Sequence, residues 1–460
     1  MKTQYKFRNP SVIATIAILL TIVTACEDFV TIDPPQTTLS TVTVFSDEST
    51  ARAAVNRIYI DMMQSAGFAC GATSLNTMAA LAADEMDNYS NTNEMAAFAS
   101  NNVTPININI VAVWNQIYNL IYQANAIREG LKKSTNLNGS SKNELDGEAQ
   151  FMHAYLHFLL VSFWGDVPWI ESTDYQKNAK ALRQSATEVY EKVITELLEA
   201  KEKLPLSAPQ QIRPTKSAAA ALLARVYLYV KNYTAAEQQA TEVIDQFQLE
   251  PDLNTVFLIE SKETVFQLQS IVPRINTWDG ESYIILSTPQ AVALSSTVIN
   301  AFEPDDQRKS SWTNTYTEGS DTWLYTFKYK VRTLPEATSP KTEYQVILRS
   351  GELYLIRAEA RANLDNLIAS EEDVNAIRSR AGLPPIVVTD KISLLMTIEQ
   401  ERRVELFSEN GHRWLDLKRT GRLDAVLGAG KPNWQPTDAL FPIPQTERNR
   451  NNNLTQNPGY

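Results

Sequence analysis

The chain has 460 residues, 43% of them apolar, enough for one large or two to three ordinary domains with a substantial core. Its 53 acidic residues outnumber 42 basic ones, for a net charge of −11. That balance argues against nucleic acid as a ligand, because phosphate backbones are gripped by concentrated positive surface.

The N-terminus opens with Lys2, Lys6 and Arg8, followed by an apolar run from Val12 to Val23 and the small residues Thr24, Ala25 and Cys26. This is the layout of a signal peptide over residues 1–25, and the run is shorter than the roughly 20 residues a membrane-spanning helix needs. Val23-Thr24-Ala25-Cys26 resembles a bacterial lipobox, which implies cleavage before Cys26 and a lipid on its sulfur. Several acyl chains at one terminus suffice for stable anchoring. With Cys26 lipidated, Cys70 is the only other thiol, so no intrachain disulfide forms and packing alone must hold the fold.

Residues 26–45, rich in Thr and Pro, lack helical periodicity and read as a lipidated tether. Ser46 before Asp47 and Glu48 predicts a capped helix to about Met63. A further helix is expected near Leu75 to Asp87, and the Asn-rich stretch 88–109 is expected to be loop. Trp114, Ile117, Tyr118, Ile121 and Ala124 keep helical spacing in a segment from Ile110 that ends at Gly130. Glu144 to Trp164 is the next long helix, broken by Gly165-Asp166-Val167-Pro168. Ser185 and Glu188 form a capping box for a helix over Thr187 to Leu204.

Lys216 to Phe247 reads as two short helices folded back on each other. Leu223, Ala224, Tyr227 and Ala236 have the spacing of the tetratricopeptide hairpin, while Ala220 and Ala240 replace the usual bulky residues. Such a hairpin cannot bury its apolar face alone, so neighbours must stack on it. Beyond Pro251 the period changes. Val265 to Ile271 and Tyr325 to Val331 alternate as half-buried strands do, with Lys328, Lys330 and Arg332 on the polar side. Helices return over Glu352 to Asn363, Ser370 to Arg380 and Thr389 to Asn410, and residues 421–460 read as Pro- and Asn-rich loop. The expected class is mainly α: a helical-repeat scaffold over about 46–250 and 340–420, with a loop-rich insertion containing short strands over about 251–339.

Several stretches together resemble the SusD/RagB family of outer-membrane lipoproteins. They are Glu148-Ala149-Gln150-Phe151 with Tyr155 and the following Gly165-Asp166-Val167-Pro168; Ala221-Leu222-Leu223-Ala224-Arg225-Val226-Tyr227-Leu228; Glu401-Arg402-Arg403-Val404-Glu405-Leu406 with Gly411-His412-Arg413-Trp414-Leu415-Asp416-Leu417-Lys418-Arg419; and Leu440-Phe441-Pro442-Ile443-Pro444 with the final Asn457-Pro458-Gly459-Tyr460. Glu27 and Asp28 resemble the acidic signal that sends lipoproteins of the Bacteroidetes to the cell surface. The resemblance implies one SusD-like domain over 46–460, an all-α scaffold of four tetratricopeptide-like units with a less regular, loop-rich part carrying the ligand face, an outer-membrane location facing the exterior, and a role as lid on a SusC-like TonB-dependent transporter. It implies capture of an oligomeric nutrient, most often a glycan. The chain departs from the family in having His153 where Arg is usual, and it is shorter than many members.

Among candidate chemistries, His153 and His157 stand at i, i+4, a spacing that can share a metal, but Ala154 replaces the Glu of the metalloprotease pattern and packed histidines are the expected reading. No metal or other cofactor is called for. Glu399, Glu401, Arg402, Arg403 and Glu405 form a charge run expected to make surface pairs within the helix and with Arg413, Asp416, Lys418 and Arg419. The chain has no nucleophile elbow or phosphate-binding glycine loop, and binding without catalysis is the expected activity. Trp278, Trp312, Trp323, Tyr283 and Tyr316 of the insertion are candidates to stack on sugar rings, joined by Tyr89 and Phe98 of the earlier loop. Asp84, Asn88, Arg274 and Asp279 are candidate hydrogen-bonding partners. An oligosaccharide is the favoured cargo; an oligopeptide cargo, a structural subunit without cargo and a surface glycosidase are the alternatives.

The lipobox makes one direct prediction. Cys26→Ala is expected to move the protein from the membrane to the soluble fraction on cell fractionation, and full retention of the variant in the membrane would contradict the anchor.

Overall fold

The computed structural model describes residues 44–64, 67–388 and 390–460. The expected signal peptide, Cys26 and most of the expected tether lie outside the described residues. Helix α1 (Glu48–Met63) is capped by Asp47, whose carboxylate accepts from the Ser49 and Thr50 backbone N–H groups, one residue later than the sequence suggested. Helices α2 (Leu75–Ala82) and α3 (Asn93–Ala99) follow, the second inside the stretch expected to be loop. Between them lies β1 (Met86–Asn88). The long helices α4 (Ile108–Lys133) and α5 (Gly139–Trp164) are each longer than their apolar periodicity indicated, because Asn107 and Asn138 cap them further upstream. Helix α6 (Ala186–Lys203) starts at Ser185, where the capping box with Glu188 forms as expected.

The hairpin α7 (Lys216–Tyr229) and α8 (Tyr233–Ile244) stands at the middle of the stack. From Ser217 to Val226 every residue of α7 is buried, so this helix has no solvent face. It packs against α6, α8 and the strands β2 (Thr264–Leu268) and β6 (Gln345–Arg349). Alanines at 218–221 and 224 let backbones approach from several sides, which explains why bulky repeat residues are missing at Ala220 and Ala240.

Downstream lie α9 (Trp278–Tyr283), β3 (Val292–Leu294), α10 (Gln307–Trp312), β4 (Thr313–Glu318), β5 (Asp321–Thr326), α11 (Ser350–Asn363), α12 (Leu367–Arg380), α13 (Lys391–Glu405) and α14 (His412–Arg419). Neighbouring helices pack in the order α1, α4, α5, α6, α7, α8, α11, with α12 and α13 closing the far end against α11. This is a helical-repeat scaffold. The insertion is sewn into it by antiparallel pairs: β1 with β3 (Met86 opposite Leu294) and β2 with β6 (Leu268 opposite Gln345). The strand expected over Tyr325 to Val331 instead ends at Thr326, as the second arm of the β4–β5 hairpin. Residues 421–460 are more than a loop. They fold back over α5, where Phe441 and Ile443 are buried, Phe441 stacks on Phe163 at 5.5 Å, and the Asn457 amide donates to the carbonyls of Trp164 and Phe441.

The charge run on α13 departs most from expectation. Glu401 and Glu405, one turn apart, point to the same side. Both are buried rather than paired on the surface. The Glu405 carboxylate receives Arg349 at 2.7 Å, Arg380 at 2.6 Å and Arg308 at 3.2 Å, and Arg308 also meets Glu401 and Asp306 at 2.8 Å each. Arg349 Nε reaches Glu409 at 2.8 Å, and Lys328, expected on a polar strand face, is buried with Nζ donating to Glu409 at 2.5 Å and to the Glu405 carbonyl at 2.8 Å. Burial opposes ionisation of Glu405, yet Arg380, Arg349 and Arg308 outweigh it and hold the carboxyl far below the usual range. A second buried pair, Arg225 with Glu352 at 2.7 and 2.6 Å, ties α7 to α11.

These buried charges predict two measurable effects. Glu405→Gln leaves three guanidiniums without their shared counter-charge and should cost about 3–5 kcal/mol in chemical denaturation. Burial pushes the Glu352 carboxyl up, but Arg225 and His412 pull it down to about 2, below its ordinary 4.5. A depressed carboxylate contributes stability that is present above its unfolded value and lost as pH falls through the folded one. Stability should therefore decline between pH 4.5 and 2, and Glu352→Gln should flatten that part of the acid-unfolding profile.

Candidate functional site

The clearest platform for a ligand is the β4–β5 hairpin. Its strands alternate Thr, Asn, Tyr and Trp, and a two-residue Gly319-Ser320 turn with φ +63° at Gly319 joins them. The register sets Tyr316 directly opposite Trp323, and the two rings stack with centroids 6.2 Å apart and planes 23° from parallel. Both rings are half-buried. Their inner edges rest on a small core of Ile284, Ile285, Ala293 and Tyr325. Around them Asn314, Thr315, Thr317, Thr322 and the turn are exposed, so the pair belongs to an open projection rather than a pit. Thr288 clamps the tip, its N–H and hydroxyl donating to Glu318 Oε2 at 3.2 and 2.7 Å.

Tyr89 joins this region through the sheet. Its N–H donates to the Ala291 carbonyl at 2.8 Å, just beyond the β1–β3 pairing, and the residue is 40% exposed. Leu286, missed by the sequence reading, is 60% exposed at the end of the Ile284–Leu286 run that underlies the hairpin. That apolar triplet was the available signal. The charged residues on the hairpin, Glu318 and Asp321, are both acidic.

The remaining candidates are occupied elsewhere. Trp312 is fully buried, its indole N–H donating to the Leu253 carbonyl at 2.9 Å and its ring edge-on to Phe257, so it offers no surface for stacking. Tyr283 is buried, with its hydroxyl bonded to Asn76 and Thr77 at 3.0 and 2.7 Å. Phe98 is buried edge-on to Phe441. The half-buried Trp278 pins the Met63 carbonyl at 3.0 Å against the main core. Asp279 accepts from the Gly71 N–H and the Gln345 amide, and burial pushes its carboxyl up to about 6. Asp84 is held between Arg403 and Arg413, each at 2.8 Å. Asn88 bonds both ways with the Ser90 backbone, and Arg274 Nε donates to the Leu334 carbonyl at 3.0 Å. An insertion needs its own core, and the apolar rings nearest the scaffold supply it.

The two paired histidines are structural. His153 is sandwiched between the Glu196 carboxylate at 2.6 Å and the Ile170 carbonyl at 2.7 Å. His157 lies against Trp169 with centroids 4.1 Å apart, and burial pushes its pKa well down. Among the described residues no group of three or more His, Cys, Asp or Glu side chains has a metal-holding arrangement.

Residues 34–228 match a family model described as "Starch-binding associating with outer membrane", and residues 229–460 match the SusD family model. A SusD-like protein P2 of Formosa agariphila is 27% identical over 415 residues, covering 76% of this chain and 81% of that protein. A SusD superfamily protein from Bacteroides vulgatus superposes with a TM-score of 0.80 at 21% identity, covering 91% of this chain and all of that one. The surface glycan-binding protein A from Bacteroides thetaiotaomicron, solved with laminarihexaose, superposes with a TM-score of 0.74 at 20% identity over 89% of this chain and 99% of that one. With its helical scaffold, its sewn-in insertion and family models matched from residue 34 to the last, the chain belongs to the SusD family.

Proposed function

We propose that the protein is a surface lipoprotein that captures a neutral oligosaccharide without cleaving it and delivers it to a SusC-like TonB-dependent transporter as its lid. The stacked, half-exposed Tyr316–Trp323 pair carries this reading. Flat aromatic faces cover the C–H faces of pyranose rings, while the Asn314 amide, two residues from Tyr316 on the same face of the hairpin, serves the sugar hydroxyls. Acidic hairpin charges favour a neutral glycan over a uronate or sulfated one. The laminarihexaose bound to the Bacteroides thetaiotaomicron relative supports the glycan class. Family membership supports the transporter partnership and the outer-membrane location. Cys26 and the segment to Phe45 would tether the lid while the transporter opens and closes beneath it.

Calorimetry with laminarihexaose, other neutral hexasaccharides and oligopeptides tests the reading. Trp323→Ala is expected to weaken binding of the recognised glycan by roughly thirtyfold, since losing a Trp anchor typically costs about 2 kcal/mol or more. Trp312→Ala should act differently, by costing about 3–5 kcal/mol of folding stability. Heat with oligopeptides and none with any glycan would overturn the cargo class. Release of reducing sugar would overturn binding without catalysis.

A further inference from the structure

Residues 165–184 run from the end of α5 to the cap of α6 as a loop closed at its neck, where Val167 and Gln184 exchange backbone hydrogen bonds at 3.2 and 3.0 Å. The body of the loop is fastened through one residue. The Ile170 carbonyl accepts from His153 Nε2 at 2.7 Å and from the Asn125 amide at 2.8 Å, while the Ile170 N–H donates to His157 Nε2 at 3.3 Å. Further along, the Thr173 N–H and hydroxyl donate to Glu129 at 2.8 and 2.7 Å. Glu171, Ser172 and Lys177 of the loop, facing Arg128 and Glu196, line a cleft of about 650 Å³.

The partners of His153 dictate its protons. A carbonyl oxygen only accepts, so Nε2 carries hydrogen. Nδ1 of the same ring lies 2.6 Å from Glu196 Oε2, and the other oxygen of that carboxylate takes Arg128 at 2.8 Å. Burial pushes the Glu196 carboxyl up, but His153 and Arg128 draw it below its ordinary 4.5. An ionised carboxylate also only accepts, so Nδ1 carries hydrogen too and the ring is an imidazolium. His157 is the opposite case. Its Nδ1 donates to the His153 carbonyl at 3.0 Å while its Nε2 accepts from Ile170, which is the neutral tautomer. Burial, and then the charge of His153, push its pKa well down.

We propose that His153 is a titratable latch on the 165–184 loop: as an imidazolium it joins Glu196 to the Ile170 carbonyl, and losing a proton breaks one of the two contacts. Whichever nitrogen gives up its hydrogen, a ring lone pair then meets an oxygen lone pair at 2.6 or 2.7 Å. The titratable and charged groups around the ring are His157 on α5, Arg128 and Tyr118 on α4, and Glu196 and Lys192 on α6. Asp146 shares Arg128 at 3.5 Å, and Trp169 of the loop lies against both imidazoles without adding charge. The proton leaves to solvent by way of the cleft, which the 13% exposed Glu196 side chain lines. A contact that needs the cation is complete on the acid side and lost as pH rises. The latch thus couples pH to one wall of the cleft.

Nitrogen NMR of the protein isotope-labelled at its three histidines tests the protonation. At about pH 6, His153 is expected to carry hydrogen on both ring nitrogens and His157 on one. Hydrogen exchange of peptides across 168–175, normalised to peptides of α7, tests the latch at about pH 6 and about pH 9, on either side of the range in which histidines change charge. Wild type is expected to lose protection there by roughly tenfold or more at the higher pH, because hydrogen bonds to charged groups are the stronger ones. His153→Arg keeps the cation at both pH values. Glu196→Gln offers an amide N–H to a neutral Nδ1 while its oxygen still takes Arg128. Each variant is expected to remove most of the pH response, and Glu196→Gln to leave His153 with a single ring hydrogen. Should one variant fail to fold, the other decides. A single ring hydrogen on wild-type His153 at about pH 6, loop protection that is the same at both pH values, or a loss that persists in every folded variant overturns the latch.

Discussion

The architecture depends on the carboxylates of Glu401, Glu405 and Glu409, which gather Arg308, Arg349, Arg380 and Lys328 into one buried network. Its members come from five separate parts of the chain. Arg349 ends β6, Arg380 ends α12, and Glu401 and Glu405 lie on α13. Arg308 lies on the short helix leading into β4, and Lys328 stands just after β5 ends. Both feet of the aromatic hairpin are therefore bound to the same helix of the scaffold. Isolated hairpins of two strands are marginal in water, so this one needs such a foundation. Breaking one partner of a buried pair is far more costly than leaving a surface pair unmade, and the network therefore fixes geometry more firmly than it adds net stability.

The rigidity has a functional consequence. A ligand that stacks on Tyr316 and Trp323 meets rings already ordered by each other and by the underlying Ile284 and Ile285. It need not also pay to order a loop. The platform is nevertheless open, with a rim of threonine and asparagine side chains, and open stacking surfaces give modest affinity and fast exchange. The proposed hand-over of cargo to a transporter needs both. On the reading proposed above, the acidic character of the hairpin and of the chain as a whole favours uncharged sugars at this surface.

The site candidates divide according to what each aromatic ring rests against. Trp312 sits beneath Lys328, whose ammonium lies 4.9 Å from its ring, and serves as part of the foundation rather than the surface. Tyr283 and Asp279 connect α9 to the α2 end of the scaffold through Asn76, Thr77 and Gly71. Trp323 and Tyr316 differ only in being placed on a hairpin beyond that foundation. Composition cannot separate these cases, because an indole is equally suited to a core and to a sugar face.

The sequence alone determined the helical scaffold, since caps such as Ser185 with Glu188, apolar stripes at helical spacing and the Ala-rich hairpin at 216–247 are local signals that local backbone physics obeys. It likewise determined the family, through motifs spread along the chain, and it pointed to the loop-rich insertion as the place for aromatic side chains. Only the tertiary structure decided which rings face outward, that the α13 charges are buried, and that residues 421–460 pack over α5. Burial is a property of what comes to lie against a residue, and Glu405 meets Arg349, Arg380 and Arg308 from positions 25 to 97 residues away. Strand pairing is equally non-local: nothing near Met86 in the chain announces that its partner is Leu294. A periodicity read over a dozen residues reports the face an element turns inward, but the identity of the neighbour, and with it the choice between foundation and binding surface, is set by contacts that form only when distant segments meet.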